Sequence, residues 1–491
     1  MAVAVAVLLA RAAAAPPPAP IELNDLPLLF ADNASLAVQS RVVRTIHPAR
    51  TRPAPVLVSD RPWEGSRAYV YGSVERDDVS GEIRLWYMSR AARAVGTNRT
   101  PSLRTNGYDL TLYATSRDGV SFVKPALGLH SFDGSSANNI VFDLHSPSVL
   151  RDQRDPDPAR RYKMLGYQGG AYRSATSPDG LHWTRDSSKN GVLAHSDTIT
   201  LAQDPRTGEY LAYHKRPDPK GRSVWLARSR DFIVWSEPDR VFAADEWDDA
   251  WVAAPDQRTE VYNMSVIPHA GGFLGFPAMF RRIHVLAKNE VAAEQSSHDG
   301  PLDIQLATSA DGRVWRRTVP RLAIIPRGAP GTFDGGAMLG VSNSAVHTET
   351  ETWMYYTAIT TGHGGTIPLK QLTIGRAEWR RHGYVSLDAG PEGGRIETRA
   401  VRFERPSLVI NADASRGRLR VALVELDGRA VIGRTLADCT PLESDAPRWA
   451  VRWKSGTDVP TDRPVRVIIE FSGARLFSVE ASREAARPRA N

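Results

Sequence analysis

Short stretches of alternating apolar and polar residues, four to seven positions long, recur along most of the chain and read as half-buried strands. Leu110–Thr115 (LTLYAT), Val224–Arg228 (VWLAR) and Ile304–Thr308 (IQLAT) are typical. Ile83–Met88, Tyr162–Tyr167, Tyr210–His214, Phe273–Met279 and Thr352–Thr357 form a second set upstream. Helical periodicity is nearly absent. Lys288–Gln295 (KNEVAAEQ) has helical composition and is expected as a loop insertion.

A turn signature follows the strands at regular intervals: Ser116–Phe122 (SRDGVSF), Ser177–Trp183 (SPDGLHW), Ser229–Trp235 (SRDFIVW) and Ser309–Trp315 (SADGRVW). In such a turn Ser and Asp bond nearby amides, Gly takes the positive-φ position and an aromatic seals the next strand. Glu378–Tyr384 (EWRRHGY) is a degenerate fifth copy. Five copies, separated each time by enough chain for four short strands, predict an all-β fold: a five-bladed β-propeller over residues 21–398. From residue 399 the strands lengthen, which predicts a C-terminal β-sandwich over 399–480 with a loose tail at 481–491.

Residues 1–20 read as a signal peptide and proline-rich linker: Met1–Ala15 is apolar and ends in small residues. A secreted or periplasmic protein is expected. Elsewhere no apolar run is long enough to span a bilayer. The formal charge of +7 is spread among interleaved acids and arginines, which argues against a nucleic-acid partner and leaves a mild attraction to acidic glycans. Cys439 is the only cysteine, so no intramolecular disulfide or thiolate cluster forms, and it is expected as a small buried side chain.

The passage His382–Ala414 (HGYVSLDAGPEGGRIETRAVRFERPSLVINADA), with Arg420–Gly433 (RVALVELDGRAVIG), resembles the junction and second domain of five-bladed-propeller glycosidases, the levanase, invertase and arabinanase superfamily, in an uncharacterised bacterial branch. The resemblance covers residues 45–480 and implies a glycoside hydrolase acting on a carbohydrate. The Asn-Asp-Pro-Asn signature of invertases and their Glu-Cys acid motif are absent, and Arg154-Asp155-Pro156 reads as a polar turn.

In a propeller the innermost strands converge on one axial funnel, and glycoside hydrolysis needs two carboxylates there. The acids expected at strand starts are Glu64, Asp197, Glu260 and Asp334, with Glu260 expected as a desolvated general acid beside Tyr262. Trp63, Asp143, His145, Tyr262, Asn263 and His363 are expected to bind the substrate. Asp299 and Asp303 are expected on the rim, and Asp118, Asp179 and Asp311 in the repeated turns. No cofactor is expected, and a Ca²⁺ in the funnel is left open. Two alternatives differ in kind. A non-catalytic glycan-binding propeller would use the aromatics for stacking, whereas a sialidase would need six blades and an arginine cluster.

Overall fold

A computed structural model describes residues 18–91, 109–187, 191–194, 196–292 and 295–483. Residues 1–17 of the expected leader and linker lie outside these residues, as does the tail beyond Arg483. The described residues are all-β; the only helical turns are two 3-10 segments, Pro62–Glu64 and Pro158–Arg160. The described part of 288–295 holds a turn and no helix.

Five antiparallel sheets follow one another along the chain. The first holds Ala68–Tyr69 and Val74–Arg76, then Ile83–Arg90, Asp109–Ser116 and Ile140–Phe142. The second runs His145–Arg151, Tyr162–Gln168, Ala171–Ser177, then Thr184–Arg185 with Leu193–Ala194. The third runs Ile199–Gln203, Tyr210–Asp218, Gly221–Ser229 and Asp239–Phe242. The fourth is built on Arg258–His269 and Gly272–Arg282, with Leu302–Ile304, Ala307–Ser309 and Arg316–Arg317 outside them. The fifth holds Ala337–Val341, Glu351–Ile359 and Leu372–Arg380, and its outer strand is Arg50–Thr51 from the start of the chain. Each sheet packs on the next, and the fifth packs on the first.

The repeated turns connect the third strand of a sheet to its fourth. In the copy at Ser177, the serine hydroxyl accepts Gly180 N–H at 2.9 Å, and Asp179 Oδ1 accepts the N–H groups of Leu181 and His182 at 2.9 Å. Asp118, Asp231 and Asp311 repeat the pattern. The turn also docks on the preceding sheet. Trp86 Nε1 donates to Gly180 O at 2.7 Å, Tyr213 Oη to Gly312 O at 2.8 Å and Tyr355 Oη to Gly119 O at 3.0 Å. Glycine is needed here on two counts: φ is +81° at Gly180, and an added Cβ would lie 2.6 Å from the Trp86 ring. Phe232 takes the same position with φ +66° and buries its ring instead.

Side chains stitch the innermost strands to one another. Ser73 donates to Val149 O, Thr200 to Met264 O, Ser265 to Val341 O and Ser344 to Val74 O. Asn343 reaches across from the fifth sheet to Ser148 Oγ, Val149 O and Leu201 O of the second and third.

Two further sheets enclose one apolar core that contains Leu23, Phe30, Ile410, Val421, Ile469 and Leu476. One has the order Asp445–Ala450, Ser407–Asp413, Ala474–Ser482, Val385–Ala389, Val43–Ile46, with Leu28–Leu29 added to Ala474–Ser482. The other has the order Leu36–Ser40, Gly394–Thr398, Arg466–Ser472, Arg418–Val424. Residues 28–46 and 385–398, expected in the first domain, therefore belong to these sheets, and Ile21–Leu23 pairs beside them with Val401–Phe403. Leu36–Ser40 and Val43–Ile46 pair with Gly394–Thr398 and Val385–Ala389 more than three hundred positions away, and local patterning carries no trace of such pairing. Ala481 and Ser482, expected in the tail, complete a strand. Cys439 is buried here, and burial raises its thiol pKa.

Candidate functional site

Where the innermost strands begin, one cluster of polar and aromatic side chains forms. Asp197 lies just ahead of Ile199–Gln203, and its side chain is 46% exposed. Lys215 Nζ, nearly buried on the neighbouring strand, lies 2.6 Å from Asp197 Oδ1 and 4.0 Å from the centroid of the Tyr262 ring. Desolvation pushes the Asp197 pKa upward, but Lys215, His145 and Arg222 outweigh it and hold the carboxyl well below the usual range. Asp197 is thus an anion that solvent reaches from one side.

His145 opens the innermost strand of the second sheet. Its Nδ1 lies 3.2 Å from Asp109 Oδ2, and its ring packs beside Tyr71 and Tyr167. Tyr71 is buried, and burial followed by Tyr262, Tyr69 and Asp197 raises its phenol pKa. On the far side Tyr262 meets His363 at 5.1 Å between centroids. His363 Nδ1 lies 3.0 Å from the carbonyl oxygen of His298, so Nδ1 carries the proton and donates. Burial, then Lys370, pushes the His363 pKa down to about 3, so its ring is neutral.

Glu260 differs from expectation. Its carboxylate is 1% exposed and receives Arg258 Nε at 2.9 Å and Arg282 Nη1 at 3.0 Å, with Arg222 Nε at 3.4 Å. Three guanidinium groups converging on one carboxylate make it a charge-paired anchor rather than a proton donor.

Other expected residues are engaged elsewhere. Glu64 is fully buried: it accepts the N–H groups of Asp60 and Arg61, the Tyr87 hydroxyl at 2.5 Å and Lys124 Nζ at 2.8 Å. It fastens the 3-10 turn to the first sheet and cannot reach a substrate. Trp63 donates to Asn139 Oδ1 at 2.7 Å and packs on Phe132. Asp334 is 2% exposed and accepts Tyr356 Oη at 2.8 Å and Thr332 Oγ1 at 3.0 Å, so it belongs to its loop. Asp143 is buried against Arg185 and Gln168, and Asn263 donates to Leu339 O at 2.7 Å, which ties the fourth sheet to the fifth. Asp303 pairs with Arg281 and Arg327, and Asp299 accepts Gly364 N–H at 2.7 Å. Asp155, in the Arg-Asp-Pro turn, holds Lys163 at 2.7 Å and Arg160 at 3.1 Å.

The structure thus brings together Asp197, His145, Tyr262 and His363, with Glu260 behind them. Sequence reasoning missed Asp109, Lys215, Arg222, His298 and Tyr71. A search for acids alone passes over cations, although the run Tyr213–Arg222 (YHKRPDPKGR) is conspicuously basic. Among the described residues no three His, Cys, Asp or Glu side chains gather as a metal site, and no helix is long and apolar enough to cross a membrane.

No protein family matches the sequence, and no curated protein matches it. Solved structures similar to this chain include an N-acetylgalactosamine deacetylase from F. plautii in complex with blood group B trisaccharide. It is 15% identical with a TM-score of 0.43, over 70% of this chain and 96% of that one. A beta-1,2-mannobiose phosphorylase from Listeria innocua is 13% identical with a TM-score of 0.42, over 68% and 96%. A family GH32 beta-fructofuranosidase from Bombyx mori is 9% identical with a TM-score of 0.38, over 90% and 96%.

Proposed function

We propose that this chain is a five-bladed β-propeller carrying a β-sandwich, and that it hydrolyses a glycosidic bond at the site around Asp197. The closed circuit of five sheets supports the architecture, with Arg50–Thr51 completing the fifth. The observation that carries the function is the open Asp197 carboxylate, kept ionised by Lys215 at 2.6 Å and walled by Tyr262 and Tyr71.

An anion in this position suits the ionised half of a glycosidase pair, which attacks the anomeric carbon, activates water or stabilises an oxocarbenium-like transition state. Proton delivery to the leaving oxygen falls to Asp109 with His145, whose contact at 3.2 Å provides a second carboxylate within the same cluster. The aromatic faces supply stacking surface for a sugar ring. This pairing replaces the expected use of Glu64, Glu260 and Asp334.

The test is turnover of a panel of 4-nitrophenyl glycosides and natural oligosaccharides by the wild type, Asp197→Asn and Asp109→Asn. Hydrolysis predicts product from at least one substrate, with a loss of about a hundredfold or more in each variant and unchanged folding. Saturable glycan binding without product after long incubation would replace this reading with the non-catalytic one.

A further inference from the structure

Basic side chains crowd together beside Asp197. Lys215, Arg222, Arg258 and Arg282 are basic, against the carboxylates of Asp197 and Glu260, with Asp256 as the other acid acting on Arg282. Asp109, beside His145 in the same cluster, and Asp218 and Asp249, which line one cavity with Arg222 and Arg258, bring further carboxylates close to the cations. Two of the cations also share one aromatic ring: Lys215 Nζ lies 4.0 Å and the Arg222 guanidinium carbon 5.6 Å from the Tyr262 centroid. Asp197 at 2.6 Å from Lys215 and Glu260 at 3.4 Å from Arg222 offset the repulsion between them.

Lys215 is already paired with Asp197, whereas the bonding of Arg222 is incomplete. Its Nε faces Glu260 Oε2 at 3.4 Å, its Nη2 donates to His298 Nδ1 at 2.7 Å, and its Nη1 has no hydrogen-bond partner. Because Arg222 only donates, His298 accepts at Nδ1 and carries its proton on Nε2. A second donor thus stands next to the guanidinium. The local field acts on the histidines too: burial first, then Arg222, lowers the His298 pKa.

Resting on the glycan reading above, we infer that the sugar bound beside Asp197 carries an anionic substituent, recognised by Arg222 together with Lys215 and His298. A planar carboxylate matches the two-pronged guanidinium, and a sulfate ester offers the same charge with a different shape. A neutral sugar would give Arg222 Nη1 no charged acceptor. Arg222 is therefore assigned as a specificity residue, and Glu260 positions it.

The experiment is calorimetric titration of the full chain with D-glucuronate, D-galacturonate, D-glucose, D-galactose, glucose 6-sulfate and inorganic phosphate. At least one acidic sugar is expected to bind roughly tenfold or more tightly than its neutral counterpart. That advantage should shrink as salt rises from about 0.05 to about 0.5 M, a measurement that needs no variant. It should vanish in Arg222→Gln and persist in Asp197→Asn. Preference for a uronate identifies a carboxylate as the anion, and preference for the sulfated sugar identifies a sulfate. Equal binding of neutral and acidic sugars, binding of phosphate alone, or no binding of any acidic sugar overturns the inference. An acidic-sugar preference without turnover defeats the hydrolytic reading and leaves this one standing.

Discussion

Asn343 Nδ2 lies 2.9 Å from Ser148 Oγ, although the two residues belong to the fifth and second sheets. The same amide also bonds Val149 O at 3.2 Å and Leu201 O at 3.0 Å, so one side chain ties three sheets where their inner edges meet. Asn343→Ala strips these buried groups of a donor and should lower stability by roughly 2–4 kcal/mol. Urea denaturation of the purified variant measures this, and a loss below about 0.5 kcal/mol would count against the tie.

Lys215 keeps Asp197 ionised, so its removal should be visible in the pH profile of turnover. Asp197 has a depressed folded pKa, and Lys215→Met withdraws the strongest of the charges that lower it. The acidic limb of kcat/KM against pH should therefore move to higher pH. An unmoved limb would show that Asp197 is not the group titrating there.

Glu64 and Asp334 separate architecture from chemistry. Glu64→Gln leaves Lys124 paired with Asp60 alone and should cost roughly 1–3 kcal/mol in stability. Asp334→Asn disturbs only the bonds to Tyr356 and Thr332 and should cost about 1–2 kcal/mol. Both variants should keep wild-type kcat at a temperature where they remain folded. A folded variant without turnover would return that acid to the site.

Several buried histidines make the protein sensitive to acid. Burial pushes the pKa of His269 to about 4 and those of His363 and His382 to about 3, from 6.5. Between these values the unfolded chain binds more protons than the folded one, so stability falls as pH drops below about 6.5. From pH 7 to pH 5 each histidine should remove about 1–2 kcal/mol. Chemical denaturation at both pH values tests this. His269→Gln, away from the candidate site, should make the dependence shallower.

How far the sequence foretold the molecule depended on whether the relevant interaction was local. The turns at Asp118, Asp179, Asp231 and Asp311 close within a few residues, so composition revealed them and, with them, the repeat. Asp197 and Tyr262 stand out at the mouths of apolar strands, His145 in an extended run and His363 in a glycine-flanked loop, and the fold brings the four together. Glu64 and Asp334 look equally apt in sequence, yet only coordinates show Tyr87 and Tyr356 closing over them. Asp109 follows a segment with no distinguishing pattern, and its partnership with His145 spans two sheets. Leu28–Leu29 and Val43–Ile46 gave no local sign that they pair with Ala474–Ser482 and Val385–Ala389.

Those last pairings bear on the order of events during synthesis. Arg50–Thr51 must wait for Leu372–Arg380 before the fifth sheet has its outer edge, and Leu28–Leu29 must wait for Ala474–Ser482. During synthesis these strands therefore emerge unpaired, and each waits for a partner made more than three hundred residues later.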